Sequence, residues 1–401
     1  MNKNSRTKNT LISVATGVGG YIITYIVSFI YRTFFIYSLG KVYLGVQGLF
    51  SNILSMLALA ELGISTAITF SLYKPIAQND KEKIKSLMLY YKRAYRIIAV
   101  VVGVIGFSLT PFLSFFLKEM PNIREPIHLI YLLYVSDIVL SYFCVYKQSL
   151  MRADQKVYLI SIVTNIASLI RSFLQIIWLA IFRTFIPVLL IQIFCTIAAN
   201  IILAKIANKQ YPYLLEKDVK LLDLETRKDI TNKVRSLFLY KMGAFVVNGT
   251  DNLLISKFIG ILSVGIYSNY NMIISMVNTV TGYLIKAITP SVGNYVAIKS
   301  EDEAHDMFEE LNFFLFWIYS LCSVLFIALF DVFIELWLGK DYLIGQAITW
   351  VLVLNFYLYG LHQIQLIYRN VLGLYIYCKW KPVAEAIINI MASLILIKFF
   401  G

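Results

Sequence analysis

The chain has 401 residues, of which 59% are hydrophobic and only 15% are charged, and its formal net charge at pH 7 is +13. A soluble domain is about 45–50% apolar and about 25% charged, so this composition excludes a soluble globular protein and predicts an integral membrane protein. The basic residues concentrate in alternate loops, as orientation in a membrane requires, and this distribution argues against nucleic acid as a partner.

Transmembrane helices are predicted along the whole chain, because a stretch of about 20 apolar residues spans a bilayer and about eleven such stretches occur. Their cores lie at 11–37, 43–72, 87–117, 127–150, 157–182, 185–207, 237–260, 264–289, 311–336, 344–368 and 382–400. Lysine and arginine are most frequent in the loops that follow helices two, four, six and ten. The positive-inside rule therefore predicts a cytoplasmic N-terminus.

An internal repeat relates the two halves of the chain. Residues 39–71 align with residues 259–291 without gaps, so that Gly40 falls on Gly260 and Gly45 on Gly265. A repeat of this kind indicates that the chain consists of two related halves. With six helices in the first half, both halves enter the membrane in the same direction, and the repeat is parallel.

The predicted fold class is therefore an all-α, polytopic membrane protein of two parallel-repeat helical bundles around a central cleft. The predicted parts are a six-helix bundle at 1–207, a cytoplasmic linker at 208–236 and a second bundle at 237–401. Nothing after helix eleven matches helix six, so we expect the second bundle to lack its sixth helix, as in a truncated chain.

Polar side chains form stripes along four of the predicted helices, at the spacing of one helix face. The stripes are Gly17, Tyr21, Thr24, Ser28 and Arg32 in helix one; Ser161, Asn165, Ser168, Ser172 and Gln175 in helix five; Lys241, Asn248 and Asn252 in helix seven; and Tyr267, Asn271, Ser275, Asn278, Gly282 and Lys286 in helix eight. A water-filled cleft between the halves would satisfy all four. The alternative is that small polar residues only hydrogen-bond a neighbouring helix.

Charged residues inside the predicted helices are the strongest candidates for function. Arg171 lies near the middle of helix five, where a charge costs from about 2.5 to more than 10 kcal/mol, so it must face a cavity or a partner. Arg32 is nearer a helix end and could reach the interface, and Lys286 could serve as a topology signal. Asp251, in helix seven, either neutralises one of the arginines or binds a coupling cation.

No catalytic or metal-binding motif is present. The sequence contains no GxSxG, HExxH or Walker-type motif, and its four cysteines occur singly without metal-ligand spacing. We therefore predict no metal, no cofactor and no catalytic residues. The expected protein moves a substrate and is not an enzyme.

Several short motifs resemble the capsular and O-antigen repeat-unit (Wzx-type) flippases. This family is the polysaccharide-transporter branch of the superfamily that also contains multidrug extruders and the peptidoglycan lipid flippase. The motifs are Arg32-Thr33, Leu39-Gly40, Leu44-Gly45, Ala60-Glu61-Leu62-Gly63, Leu72-Tyr73-Lys74-Pro75, Thr250-Asp251-Asn252, Ile259-Gly260 and the run from Val264 to Tyr270.

The resemblance implies a substrate, an oligosaccharide on an undecaprenyl diphosphate carrier, which the family turns across the bacterial cytoplasmic membrane. The lipid bilayer and the polysaccharide polymerase machinery are the other expected partners. The diphosphate is expected to contact Arg32, Arg171 and Lys286. Sugar hydroxyls are expected to contact Asn165, Asn248 and Asn271, and ion coupling or charge pairing is expected of Glu61 and Asp251.

Three other functions are alternatives to a flippase. A cation-coupled multidrug extruder of the same superfamily would need an acidic, aromatic cleft, and the excess of basic residues argues against one. A repeat-unit polymerase would need a large external loop, which the sequence does not show. A non-transporting, truncated relative is the third alternative, because the second half has no counterpart of helix six.

Overall fold

The chain is described by a computed structural model that covers residues 3–216, 218–232, 234–235, 249–372, 374 and 380–400. Nearly all of these residues are helical, and no strand occurs among them. The predicted all-α fold is therefore confirmed.

Long helices account for most of both halves of the chain. In the first half they are α1 (Lys3–Leu39), α2 (Lys41–Leu57), α3 (Leu59–Ala77), α4 (Lys81–Ser108), α5 (Ile127–Ala153), α6 (Val157–Phe182) and α7 (Ile186–Gln210), with 3₁₀ segments at Thr110–Phe116 and Pro212–Leu215. Residues 224–232 form the short α8. The remaining elements are α9 (Asp251–Leu254), the π-helix Ile255–Ile259, α10 (Ile261–Ile298), α11 (Glu301–Leu338), the 3₁₀ turn Lys340–Tyr342, α12 (Gln346–Val371) and α13 (Lys381–Phe400).

Seven helices in the described part are long and apolar enough to cross a membrane. The number is eight if α4 and the bent segment Thr110–Phe116 form one span. Half of the predicted helix at 237–260, residues 237–248, lies outside the described residues. The protein is a multi-pass membrane protein, as predicted.

The predicted second helix, 43–72, is interrupted in the structure. α2 ends at Leu57 and α3 begins at Leu59, and the ψ of Ala58 between them is −11°. This ψ departs from the usual helical value of about −42°. The Ala58 amide donates to the carbonyl oxygens of Leu54 and Met56, so it stays hydrogen-bonded to the last turn of α2.

The contacts divide the chain into two compact units, residues 1–264 with 385–401, and residues 265–384. In the first unit, α3, α4 and α5 pack around buried side chains that include Tyr91 and Tyr95. In the second unit, Tyr319 is fully buried and donates to, or accepts from, Thr281 at 2.9 Å, which links α11 to α10. The bundle boundaries predicted at 207 and 237, and the central cleft, stay predictions.

The two copies of the internal repeat share an unusual backbone conformation. Gly40 has φ 85° and ψ 177°, and its repeat partner Gly260 has φ 136° and ψ 161°. This region of positive φ with extended ψ is essentially restricted to glycine. Each glycine directly precedes a helix, α2 and α10 respectively. The two aligned segments thus enter their helices in the same way.

Candidate functional site

α1 and α6 run parallel and pack along their length in the first unit. At the middle of α1, a Cβ on Gly20 would lie 1.9 Å from Nδ2 of Asn165, so the glycine leaves room for the Asn165 amide. At the C-terminal end of α1, the Ser38 hydroxyl donates to the carbonyl oxygen of Leu179 at 3.3 Å. This packing brings together the two helices that carry the polar stripes of predicted helices one and five.

Two arginines and a tyrosine meet at this helix pair. The Tyr31 hydroxyl interacts electrostatically with both Arg171 and Arg32. Nη2 of Arg171 donates to Oγ of Ser168, one turn earlier on α6, at 3.1 Å. Both arginine residues are half-buried. We refer to Tyr31, Arg32 and Arg171 as the arginine cluster.

The positive charge of Arg171 has no acidic partner in the part of the chain that the structure describes. Among the described residues, Asp251 at the start of α9 also forms no ion pair. It therefore does not neutralise Arg171 in this structure. An uncompensated charge at the middle of a membrane helix is expensive unless it meets water or an anion. The arrangement can therefore hold an anionic group. A coupling-cation role for Asp251 stays a prediction.

Two polar side chains of α5, Tyr134 and Asp137, form a second polar feature beside the arginine cluster. Tyr134 is buried and interacts electrostatically with both Tyr31 and Asp137. Oδ2 of Asp137 accepts from Nε2 of Gln192 on α7 at 2.7 Å, whereas its buried Oδ1 has no hydrogen-bond partner among the described residues. Tyr31 and Tyr134 were not among the site residues predicted from the sequence. The sequence feature that could have identified Tyr134 is its spacing from Asp137, three residues further along the same helix face.

Glu61 contacts the interior of its own bundle. It lies on α3, half-buried, and accepts from the Tyr95 hydroxyl on α4 at 3.1 Å. It also interacts electrostatically with Tyr142 on α5. These contacts tie α3 to its two neighbours, and an ion-coupling role for Glu61 stays a prediction.

The remaining predicted site residues belong to other parts of the chain. Asn271 and Lys286 are exposed on α10, in the second unit, and Nζ of Lys286 lies 5.5 Å from the centre of the Tyr283 ring. Asn248 and Lys241 lie outside the described residues. Of the predicted substrate contacts, the structure thus brings Arg32, Arg171 and Asn165 onto one helix pair.

Comparisons with known proteins identify the family of the chain and the fold that it shares with solved structures. The profile of a family described as polysaccharide biosynthesis protein matches residues 8–296. No curated protein sequence matches the chain significantly. A solved inward-facing multidrug resistance MATE family transporter of the MOP superfamily is similar over 94% of this chain and 85% of that chain, with 13% identity and a TM-score of 0.62.

Two further solved structures share the fold. A mutant of the Vibrio cholerae MATE transporter VcmN matches over 98% of this chain and 87% of its own, with 14% identity and a TM-score of 0.59. An outward-facing MATE family transporter of the MOP superfamily matches over 96% and 86%, with 12% identity and a TM-score of 0.55. At such identities, these likenesses show the fold alone.

Proposed function

The chain belongs to the polysaccharide biosynthesis protein family, and on this premise we propose that it is an oligosaccharide flippase. Its substrate would be an undecaprenyl-diphosphate-linked repeat unit, moved across the bacterial cytoplasmic membrane for capsular or other surface polysaccharide synthesis. The concentration of basic residues in alternate loops supports a cytoplasmic N-terminus. The polymerase machinery that uses the exported units is the proposed partner.

The arginine cluster is the observation that carries the proposal. A diphosphate must cross a slab of low dielectric, and guanidinium groups bind phosphate oxygens with two parallel N–H donors. Arg171 is mid-membrane by its position in α6 and has no acidic partner in the described part of the chain. A diphosphate placed between Arg171 and Arg32 would supply the missing negative charge. Asn165, six residues before Arg171 on α6, would hydrogen-bond a sugar hydroxyl.

Transport would proceed by alternating access, in which the protein opens first to one side of the membrane and then to the other. The polyprenyl tail would stay in lipid while the charged and sugar parts move through the polar path. Lys286 and Asn271, on α10, are the proposed contacts in the second unit.

Complementation tests the proposed function directly. We expect the chain to restore surface polysaccharide in a panel of bacterial strains, each lacking its own repeat-unit flippase and each making a different repeat unit. Restoration in at least one strain is the expected outcome, because its units share the diphosphate carrier. Surface polysaccharide is measured with lectin or antibody, and the empty vector is the control. Failure in every strain, with the protein present in the membrane, would contradict the proposal.

A cation-coupled multidrug extruder is the alternative that shares this fold. Its cationic substrates would need a negative charge in the membrane interior, whereas the arginine cluster is positive. Drug-susceptibility profiles of the same strains separate the two functions. Raised resistance to cationic drugs without restored polysaccharide would favour the extruder, and no change in either readout would favour a non-transporting relative.

A further inference from the structure

A basic cavity lies in the first unit, where α4 begins and α5 ends. Its volume is about 590 Å³, and it is enclosed by α4, α5 and the segment that follows α7. Four basic side chains line it: Lys85, Lys92, Arg93 and Lys147. It shares no lining residue with the arginine cluster. We refer to it as the basic cavity.

One of the four charges is neutralised by the protein itself. Lys85 is buried and forms ion pairs with Glu82 at 2.5 Å and with Glu216 at 2.7 Å. Glu216 is the acidic residue of the lining, and this pair engages it. The cavity therefore keeps a positive excess.

The other three charges have no acidic partner in the described part of the chain. Lys147 donates to the neutral amide oxygen of Asn208 at 2.7 Å. Lys92 and Arg93 have no hydrogen-bond or ion-pair partner there. Lys92 and Lys147 are close enough to interact electrostatically, and as like charges they repel each other. An anion between them would relieve this repulsion.

A smaller cavity of about 260 Å³ continues the basic surface. The two cavities share Leu89, Arg93 and Leu221 in their walls. The smaller one is also lined by Arg227, whose buried Nε has no hydrogen-bond partner among the described residues. Arg227 thus offers a further donor for an anionic ligand that extends past Arg93.

Two ion pairs fasten the outer wall of the cavity to α4. One is the pair of Lys85 with Glu216, and the other joins Lys83 to Asp223. The hydrogen bond from Lys83 holds the pKa of the Asp223 carboxyl well below its usual range, so this pair is intact at neutral pH. A wall that is already in place does not have to be ordered when a ligand binds.

We propose that the basic cavity binds a phosphate-bearing ligand, with the phosphate held by Lys92, Arg93 and Lys147. Arginine supplies a fork of donors to phosphate oxygens, and lysine supplies a compact positive charge. Leu215 and Leu221 line the cavity and are themselves exposed, so they offer an apolar surface to an acyl or prenyl chain. The phosphate can come from a lipid headgroup or from a soluble pyrophosphate. This site is separate from the proposed transport site and does not depend on the proposed function.

Binding of two probes to the purified full-length chain tests the proposal. The first probe is inorganic pyrophosphate, titrated calorimetrically in a neutral detergent. The second is phosphatidylglycerol, added in increasing proportion to zwitterionic nanodiscs and counted by native mass spectrometry. We expect wild type to bind at least one probe. The double variant Lys92→Gln, Arg93→Gln should bind it at least tenfold more weakly, and Arg227→Gln should also weaken it.

Arg152→Gln is the matched control, because Arg152 is exposed at the same end of α5 and does not line the cavity. It removes one positive charge and should leave binding unchanged. Lys92→Arg, which keeps the charge, should bind within a fewfold of wild type and so separates loss of charge from loss of folding. Binding of pyrophosphate alone identifies a soluble source, and binding of phosphatidylglycerol alone identifies a headgroup. Absence of binding to both probes, or equal binding by the double variant, overturns the proposal.

Discussion

Replacing Arg171 with alanine is expected to reduce the export of surface polysaccharide strongly while the protein stays in the membrane. Its guanidinium is the charge at mid-membrane that has no acidic partner in the described part of the chain. A hydrogen bond to a charged group contributes about 1.5–3 kcal/mol, so its loss should slow export by about tenfold or more. Surface polysaccharide in the complemented strain is the measurement, with the amount of membrane protein determined in parallel.

Two further variants separate the role of Arg171 from that of charge in general. Arg171→Lys keeps the charge but lacks the two-donor fork, so it should restore part of the export. Arg183→Asn removes a positive charge just after α6, where Arg183 is exposed and has φ 50°. Asparagine tolerates this conformation, and export should be normal. Normal polysaccharide in Arg171→Ala would contradict the assignment of the arginine cluster.

Substituting Gly45 with alanine should destabilise the first unit. A Cβ on Gly45 would lie 2.0 Å from the carbonyl oxygen of Ile261 and 2.9 Å from its carbonyl carbon. Both atoms belong to the backbone at the start of α10, so α2 would have to move away from it. Overpacking of this kind costs about 1–3 kcal/mol and occasionally more. The expected result is a Tm lower by several degrees, measured on purified protein in detergent.

Gly19→Ala provides the matched control for this substitution. Gly19 is also helical, in α1, and a Cβ there meets no atom within 4 Å. Alanine favours a helix more than glycine does, so Tm should stay the same or rise. If the Gly45→Ala and Gly19→Ala variants had the same Tm, this would contradict the close approach of α2 to Ile261.

Sequence periodicity predicted much of the fold and of the candidate site. The three- and four-residue spacing along predicted helices one and five identified Arg32, Asn165 and Ser168 as members of polar faces. The structure places these faces on two helices that pack together. The alignment of Gly40 with Gly260 predicted a structural repeat, and their shared positive φ agrees with it.

Other features were beyond what periodicity can predict. Spacing tells which side of a helix is polar, but not which helix packs against it, so the electrostatic interaction of Tyr31 with Arg171 was not foreseen. The break between α2 and α3 at Ala58 lies in a continuous run of apolar residues, which predicts one unbroken helix. The cavity that Lys92 and Lys147 line was not foreseen, because a cavity between helix ends depends on tertiary packing.

Reconstitution tests the central claim most directly. The purified chain is placed in liposomes with a fluorescent undecaprenyl-diphosphate-linked oligosaccharide in the inner leaflet, and its arrival at the outer leaflet is followed with a membrane-impermeant quencher. We predict transfer faster than in protein-free liposomes and slowed by Arg171→Ala. Transfer by folded wild-type protein at the protein-free rate would contradict the proposed function.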